Sequence, residues 1–362
     1  MPSKKTQEFV FDQRSREILL SIIKMYVDTG EPVGSRTLSK YSKEKLSAAT
    51  IRNIMADLED AGYLTHPHTS AGRIPTDKAY RFYVDSILRQ VKISKSDESA
   101  IRHSLLESEV SSASQFMERT SHLLSQMSNN VGIVVSPAIA QDILQHIEFL
   151  KLADGRILVI MVSRSGLVRD RVIRVEGDFS QTELDKTARY VTDNFKGLSL
   201  FTIRSEILKR MSEEKVLYDR LLQNAILLCN QGLEDEEQGK VYVDGTSTIL
   251  SKPDFTDTER LRGLFRMYEE KGKLLKILNE CLAESTSTGI GIRIGAENNI
   301  PSLRNCTIIT SPYTYGSNVN SVVGGVAVVG PTRMEYARMI TVVNYIARLF
   351  EKVFSEDRQI NR

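Results

Sequence analysis

The sequence predicts a multidomain α+β protein, in which a helical N-terminal domain precedes a sheet-centred remainder. Three observations predict this class. The chain has 362 residues, which is enough for two or three domains with separate cores. The first ninety residues show helical periodicity around one stiff, polar loop. Short apolar runs typical of strands then occur in two blocks, before residue 180 and after about residue 285.

The composition is that of an ordinary globular protein, with 41% hydrophobic and 26% charged residues. No apolar run approaches the ~18 residues that suggest a membrane span, and the start of the chain lacks the apolar stretch of a signal peptide. We therefore expect a cytoplasmic protein. The cysteines Cys229, Cys281 and Cys306 are far apart and show no metal-ligand spacing. His66 and His68 share a loop without a cysteine or carboxylate cluster, so no metal site is expected.

Three helices are predicted before residue 62. The first runs from Arg14 to Thr29, and the second, from Gly34 to Tyr41, is short and has Ser35 as its cap. The third begins at Ser47, a capping residue type, and closes at Gly62. Helix, short helix, turn and helix form the arrangement of a helix-turn-helix.

The polar face of the third helix offers groups that suit a DNA major groove. Ala49, Thr50, Arg52 and Asn53 lie beside its apolar stripe, in the first turns. Arginine bonds guanine, asparagine bonds adenine, and alanine or a threonine methyl packs on thymine. Residues 34–52 also hold five basic side chains against one acidic one, which is an electrostatic footprint for a polyanion. A solvated helix surface would carry similar residues, so that alternative stays open.

The loop HPHTSAGRIPTDKAYR predicts a hairpin after the third helix. Tyr63 to Thr65 form one strand, Arg73 and Ile74 form the returning strand, and residues 69–72 form the tip. This completes a winged helix, in which Pro67 and Pro75 limit flexibility and the arginine contacts phosphate without reading sequence. The residues expected to contact DNA are Ser35, Arg36, Ser47, Ala49, Thr50, Arg52, Asn53, Thr69, Ser70 and Arg73.

Beyond residue 90 the pattern alternates between helix and strand. Residues 97–128 predict one long amphipathic helix. VGIVVS and LVRDRVIRVE predict strands, and IEFLKLADGRILVIMVS predicts a hairpin that turns at Asp154 and Gly155. Capping boxes are predicted for Ser180 with Glu183 and for Thr256 with Glu259.

Strands are predicted again at VYVDG, GIGIRIG, CTIITSPYTYG and VGGVAVVG, and a final helix begins at Thr332 with Glu335 as its box partner. The simplest account is a sheet-centred domain that is interrupted by a mostly helical insertion over residues 180–275. Within it, Leu221, Leu222 and Ile226 lie at helical spacing. They could face a partner subunit or an internal core.

The sequence gives no indication of catalysis. GIGIRIG lacks the G-x-G-x-x-G spacing at the start of a helix that a dinucleotide site needs. GPTRM could place Arg333 near an anion at a helix N-terminus, although a surface arginine is the simpler interpretation. No arrangement of nucleophile, base and orienting group can be identified, so we expect neither an enzyme nor a cofactor.

Three stretches resemble the HrcA family of heat-inducible transcription repressors. They are ATIRNIMADLEDAGYLTHPHTSAGRIPTDKAYRFYVD, IGAENN at 294–299, and GVAVVGPTRMEYARMI at 325–340. The resemblance implies a winged helix-turn-helix over residues 1–90, a GAF-like domain in two parts, 97–179 and 276–362, and an inserted dimerisation domain over 180–275.

The resemblance also implies a function. It implies a homodimer that binds double-stranded DNA at the CIRCE inverted repeat ahead of chaperone operons and is released on heat stress. It further implies that the chaperonin GroE helps to keep the repressor active. A second class remains open, namely a regulator that responds to a small molecule held in the GAF-like domain.

Overall fold

The computed structural model describes residues 12–41, 46–67, 72–88, 90–107, 112–137, 143–164, 168–175, 179–199, 202–203, 224, 227–228, 240–252, 254, 258–285, 289–315 and 322–356. Across these residues the chain combines α-helices with three antiparallel sheets, which confirms the predicted α+β class. No helix in this described part is long and apolar enough to cross a membrane.

The N-terminal unit comprises residues 12–88, and its described part contains four helices and a two-stranded hairpin. The helices are α1 (Gln13–Thr29), α2 (Ser35–Tyr41), α3 (Ala48–Asp60) and α4 (Asp77–Ile87), and the strands are β1 (Leu64–Thr65) and β2 (Ile74–Pro75). Their apolar stripes meet in one core that includes Ile22, Ile51 and Val84, each 0% exposed. The α3 helix therefore buries one face against its neighbours and leaves the other in solvent.

The prediction of one long helix over residues 97–128 is wrong. The structure has two helices there, α5 (Lys95–Leu106) and α6 (Ala113–Ser128). The Ser112 hydroxyl accepts the backbone N–H of Gln115 and so caps α6. A serine in this position starts a new helix because it satisfies a backbone donor that would otherwise need the preceding turn.

Five strands form the central sheet, in the order β7-β3-β10-β9-β8 with every pair antiparallel. They are β3 (Val131–Val135), β7 (Val241–Asp244), β8 (Gly291–Ile294), β9 (Cys306–Tyr315) and β10 (Val322–Pro331). One face packs against α6 and α10 (Tyr336–Glu356), and the other packs against α8 (Thr258–Glu269) and α9 (Lys271–Ala283). Since both faces are covered, Ile133 and Val134 point to different cores and are both 0% exposed.

A second sheet contains β4 (Leu144–Lys151), β5 (Arg156–Ser163) and β6 (Val168–Arg174), and α7 (Gln181–Phe195) packs against it. The predicted hairpin turn is confirmed, since Asp154 and Gly155 join β4 to β5 with φ values of 61° and 68°. Two consecutive positive φ angles are typical of a type I′ turn. The predicted capping box between Ser180 and Glu183 is also present at the start of α7.

The chain leaves the central sheet at Ser136 and returns to it at Lys240. The Ser136 N–H donates to the Lys240 carbonyl, and the Lys240 N–H donates to the Ser136 hydroxyl, both at 2.8 Å. Strands β3 and β7 are therefore an antiparallel pair that flanks residues 138–239, here called the inserted segment. The predicted insertion over residues 180–275 overlaps this segment and includes β7, and its limits stay a prediction.

Some predicted features lie outside the described residues. These are Thr69 and Ser70 at the hairpin tip, Leu221, Leu222 and Ile226, and Thr256 of the second capping box.

The final helix begins at Tyr336, so the predicted start at Thr332 is wrong. The Glu335 carbonyl accepts the Met339 N–H, which places the cap at Glu335. The Thr332 N–H donates instead to the Asn305 carbonyl at 3.1 Å. This bond extends the β9–β10 pairing by one residue, so the helix starts only after the chain has turned away from the sheet.

Candidate nucleic-acid interface

The exposed face of α3 carries the four side chains predicted to read bases. Ile51, Met55 and Leu58 on its other face are at most 5% exposed. In contrast, the predicted reading residues Ala49, Thr50, Arg52 and Asn53 are all exposed. The structure therefore brings these four residues together on one accessible surface.

The cap of α3 is a hydrogen bond from the Thr50 N–H to the Ser47 hydroxyl, at 3.1 Å. The two side-chain hydroxyls also lie 2.9 Å apart and share a hydrogen bond. Ser47, predicted as a DNA contact, thus already holds the first turn of α3 in place. This fixes the backbone from which the neighbouring exposed side chains project.

We expect Ser47→Ala to lower the free energy of unfolding by about 1 kcal/mol, because the Thr50 N–H loses its partner. Urea denaturation of the full chain would measure this. Ser47→Asp is the matched control, since aspartate is an equally good cap. Equal losses in the two variants would contradict a capping role.

Helix α2 differs from the prediction at its first turn. It begins at Ser35 itself, and the residue before it is Gly34, whose carbonyl accepts the Leu38 N–H at 3.1 Å. The prediction that Ser35 caps α2 is therefore wrong. Ser35 is half-buried, whereas Arg36 is exposed at the start of this helix.

The hairpin is fixed to the loop before α2 by its backbone. Val33 and Arg73 exchange two N–H to carbonyl hydrogen bonds, both 2.9 Å long. A Cβ on Gly72 would lie 2.6 Å from the Val33 backbone. Gly72 is thus required for this close approach, and the base of the hairpin is held against the loop between α1 and α2.

The Arg73 side chain forms an ion pair that the sequence did not reveal. Its Nε lies 2.6 Å from Glu59 Oε2, near the end of α3. The His66 ring bonds the other oxygen of the same carboxylate. Although partial burial acts to raise it, the bond from His66 and the charge of Arg73 hold the pKa of Glu59 below its ordinary value.

Sequence reasoning missed Glu59 because its partners come from different elements. Glu59 is on a helix, while His66 and Arg73 follow it by seven and fourteen residues across the hairpin. The available signal was an acidic residue in the last turn of α3, directly before a basic hairpin. Only the close return of β2 beside β1 brings those charges together.

The alternative sites considered from the sequence take structural roles. GIGIRIG forms β8 and continues into a short 3₁₀ turn, Gly295–Glu297, without opening an α-helix. A Cβ on Gly291 would lie 2.4 Å from the Cys281 carbonyl, so the absence of a side chain here lets α9 pack closely against β8. The Arg333 side chain is 19% exposed and forms two 2.9 Å bonds to the Asp254 carboxylate. Within the described ranges there is no group of three metal-ligating side chains.

Comparisons with known proteins identify the family to which the chain is similar. The family of the HrcA protein C terminal domain matches residues 114–340. A heat-inducible transcription repressor HrcA from Geobacter sulfurreducens is 43% identical over 94% of this chain and 97% of that protein. One from Syntrophobacter fumaroxidans is 37% identical over 95% of this chain and 97% of that protein.

A similar fold occurs in the crystal structure of a hypothetical protein. Its TM-score is 0.64 at 23% identity, and the match covers 96% of this chain and 99% of that one. The chain therefore belongs to the HrcA family of heat-inducible transcription repressors, as its motifs predict, and not to a family of enzymes.

Proposed function

We propose that this repressor acts by binding double-stranded DNA through a winged helix-turn-helix formed by residues 12–88. The observation that carries this proposal is the exposed surface of Ala49, Thr50, Arg52 and Asn53 on a helix anchored by its opposite face. These residue types match the donors, acceptors and methyl groups of a major groove. Family membership supports the same assignment.

In this mechanism α3 enters the major groove with its capped N-terminal end first. Arg52 would bond a guanine and Asn53 an adenine, while Ala49 and Thr50 pack against thymine methyl groups. The hairpin would follow the backbone, where Arg73 contacts phosphate. Its guanidinium meets Glu59 through Nε, and because the group carries five N–H donors, its Nη groups would contact DNA.

The full operator is an inverted repeat of the CIRCE type, bound by a homodimer. One unit of this size reads too few base pairs to select one site in a genome, and a two-fold dimer matches the symmetry of an inverted repeat. The inserted segment would supply the dimer surface, and the central sheet with its helices would be the GAF-like domain. Heat would release the protein by unfolding a marginally stable DNA-competent state, which GroE would help to restore.

Ligand control is the less favoured mechanism. The face of the central sheet toward α10 is filled by Tyr313 and Phe350, both 0% exposed, with ring centroids 4.5 Å apart. The Tyr313 hydroxyl donates to the Val135 carbonyl at 3.0 Å. These contacts fill this part of the sheet face with the protein's own side chains.

Selection from random-sequence DNA tests the function directly. The protein should enrich an inverted repeat, and footprinting should place that repeat upstream of chaperone genes. Recovery of an unrelated, asymmetric sequence would reject the operator and the dimer together. Native mass spectrometry of the same preparation should show a dimer, and a stoichiometric small ligand would favour the ligand-controlled mechanism.

For the hairpin, we expect Arg73→Ala to weaken binding to all DNA sequences and to reduce the salt slope by about one counterion. Glu59→Gln should instead strengthen binding to all DNA sequences, because it frees the Arg73 guanidinium from its ion pair. Titrations over a range of salt concentrations measure both. Asp60→Asn is the matched control, as it removes an exposed acid one residue away. Equal gains from Glu59→Gln and Asp60→Asn would show only a net-charge effect.

A further inference from the structure

The N-terminal unit is bonded to the edge of the central sheet through α4. The Asp77 carboxylate accepts the Ala296 N–H at 2.9 Å. Arg81 donates from Nε to Glu297 at 2.8 Å and from Nη2 to the Ile292 carbonyl at 2.7 Å. Gly295 has a φ of 51°, and a Cβ there would lie 2.0 Å from the Asp77 carboxylate, so a larger residue would displace this bonded side chain.

A second set of contacts comes from Arg333. While two of its nitrogens bond Asp254, its Nη1 donates to the Val27 carbonyl at the end of α1, at 3.3 Å. The guanidinium also lies over Gly30, where a Cβ would be 3.2 Å from Nη1. The end of α1 is therefore held by contacts that are separate from those of Arg81.

An aromatic contact fills the space between these two polar sets. The rings of Tyr80 and Tyr336 have centroids 5.5 Å apart, and Tyr83 meets Tyr336 edge to face at 6.3 Å. Tyr80 is 2% exposed and Tyr336 is 0% exposed. The hydroxyl of Tyr336 is itself fixed, because it donates to the Thr332 carbonyl at 2.6 Å. We call the Asp77, Arg81, Tyr80, Tyr336 and Arg333 contacts the joint.

The joint is connected to α3 because α4 and the residue before it bond the residues that end α3. The Thr76 hydroxyl caps α4 and donates to the Gly62 carbonyl at 2.8 Å. Lys78 donates to the Ala61 carbonyl at 2.9 Å. Any rotation of α4 on the sheet would therefore carry α3 with it.

The connection that follows α4 is held as well. Asp97 of α5 accepts a 2.9 Å bond from Arg338, and Tyr345 donates to Glu98 at 3.2 Å, so α5 is fixed on α10. The N-terminal unit is thus attached through α1 and α4, and α5, the next helix of the chain, is attached to α10 as well.

We propose that the joint sets the angle at which each subunit presents α3, so that Asp77, Arg81 and Glu297 are positioning residues for the two-half-site operator although none lies on α3. This inference rests on the proposed function. Two linked half-sites bind more tightly than one only when geometry allows both to be engaged together. Loosening the joint should therefore weaken two-site binding and leave binding to a single half-site intact.

The test uses the full-length chain and two duplexes, one with the inverted repeat selected from random DNA and one with a scrambled arm. Arg81→Glu places two acids face to face and should lower affinity for the full repeat by about tenfold or more. Its affinity for the single-arm duplex should fall no more than in Arg102→Glu, a control with the same charge change at an exposed α5 position. Arg81→Glu combined with Glu297→Arg restores the pair and should recover most of the loss.

A second measurement monitors the contacts of the joint in the absence of DNA. Amide hydrogen exchange at Ala296 should accelerate in Arg81→Glu and slow again in the exchanged pair, because Ala296 donates to Asp77 within the joint. If Arg81→Glu fails to fold, Asp77→Asn keeps the side-chain volume, weakens only the acceptor, and should change both readouts in the same direction.

Two outcomes would overturn the proposal. In the first, Arg81→Glu loses equal affinity for both duplexes, and this loss exceeds that of Arg102→Glu. In the second, Arg81→Glu binds the full repeat normally although amide exchange at Ala296 is faster. An unmodified protein that binds the two duplexes equally would instead reject the proposed dimeric operator itself. These results distinguish an error in the proposal about the joint from an error in the proposed function.

Discussion

Replacing residues 138–239 with a short Gly-Ser turn should leave a folded monomer that binds an inverted repeat at least about a hundredfold more weakly than the intact chain. Ser136 and Lys240 are already bonded at 2.8 Å, so Pro137 and Lys240 can be joined by a tight turn. Strands β3 and β7 then become an ordinary hairpin, and the central sheet keeps all five strands. The affinity falls because the two half-sites are no longer linked.

Light scattering gives the mass of the excised protein, and titration with full and single-arm duplexes gives its affinity. The control inserts the same Gly-Ser stretch after Pro137 without a deletion, which tests the effect of the linker alone. Affinity for the single-arm duplex should match that of the intact chain. If the excised protein stays dimeric and binds the full repeat normally, the dimer interface lies on the remaining body.

Arg52→Ala and Asn53→Ala should each cost about 1–3 kcal/mol of binding free energy on the selected operator, and much less on random DNA. Both side chains are exposed on α3, while the helix keeps its core contacts through Ile51 and Leu58. The loss should therefore be one of base contacts, with the melting temperature nearly unchanged.

Binding of each variant to the operator and to random duplexes separates base contacts from phosphate contacts. Arg102→Ala is the charge-matched control for Arg52→Ala, since Arg102 is exposed on α5, outside both the N-terminal unit and the inserted segment. Equal weakening on both DNAs would make Arg52 or Asn53 a phosphate contact and would contradict its assignment to a base.

Local signals in the sequence were sufficient for most elements. Ser47 and Ser180 predicted helix starts, and the Asp154–Gly155 pair predicted a hairpin, because caps and turns depend on neighbouring residues. The partner of β7 could not be predicted, since its pairing with β3 joins residues about a hundred positions apart. The start of α10 was missed for the same reason: the Thr332 N–H is taken by Asn305.

In the candidate interface, too, the local features could be predicted and the contacts between distant residues could not. The exposed face of α3 follows from periodicity alone, and the structure places Arg52 and Asn53 on it. The pairing of Arg73 with Glu59 depends on the return of the hairpin. The bonds of Arg81 depend on a turn more than two hundred residues further along the chain.

That separation has a consequence for how the protein is made. Arg81 and Glu297 are 216 residues apart, and Val27 and Arg333 are 306 apart. At about 5–20 residues per second, the N-terminal unit leaves the ribosome roughly 10–40 s before residues 292–297. During that interval Tyr80 lacks the ring of Tyr336 that covers it in the finished fold. Contacts this distant in sequence also form slowly. We therefore expect each new chain to pass through a partly folded state in which the ring of Tyr80 is more exposed than in the finished fold.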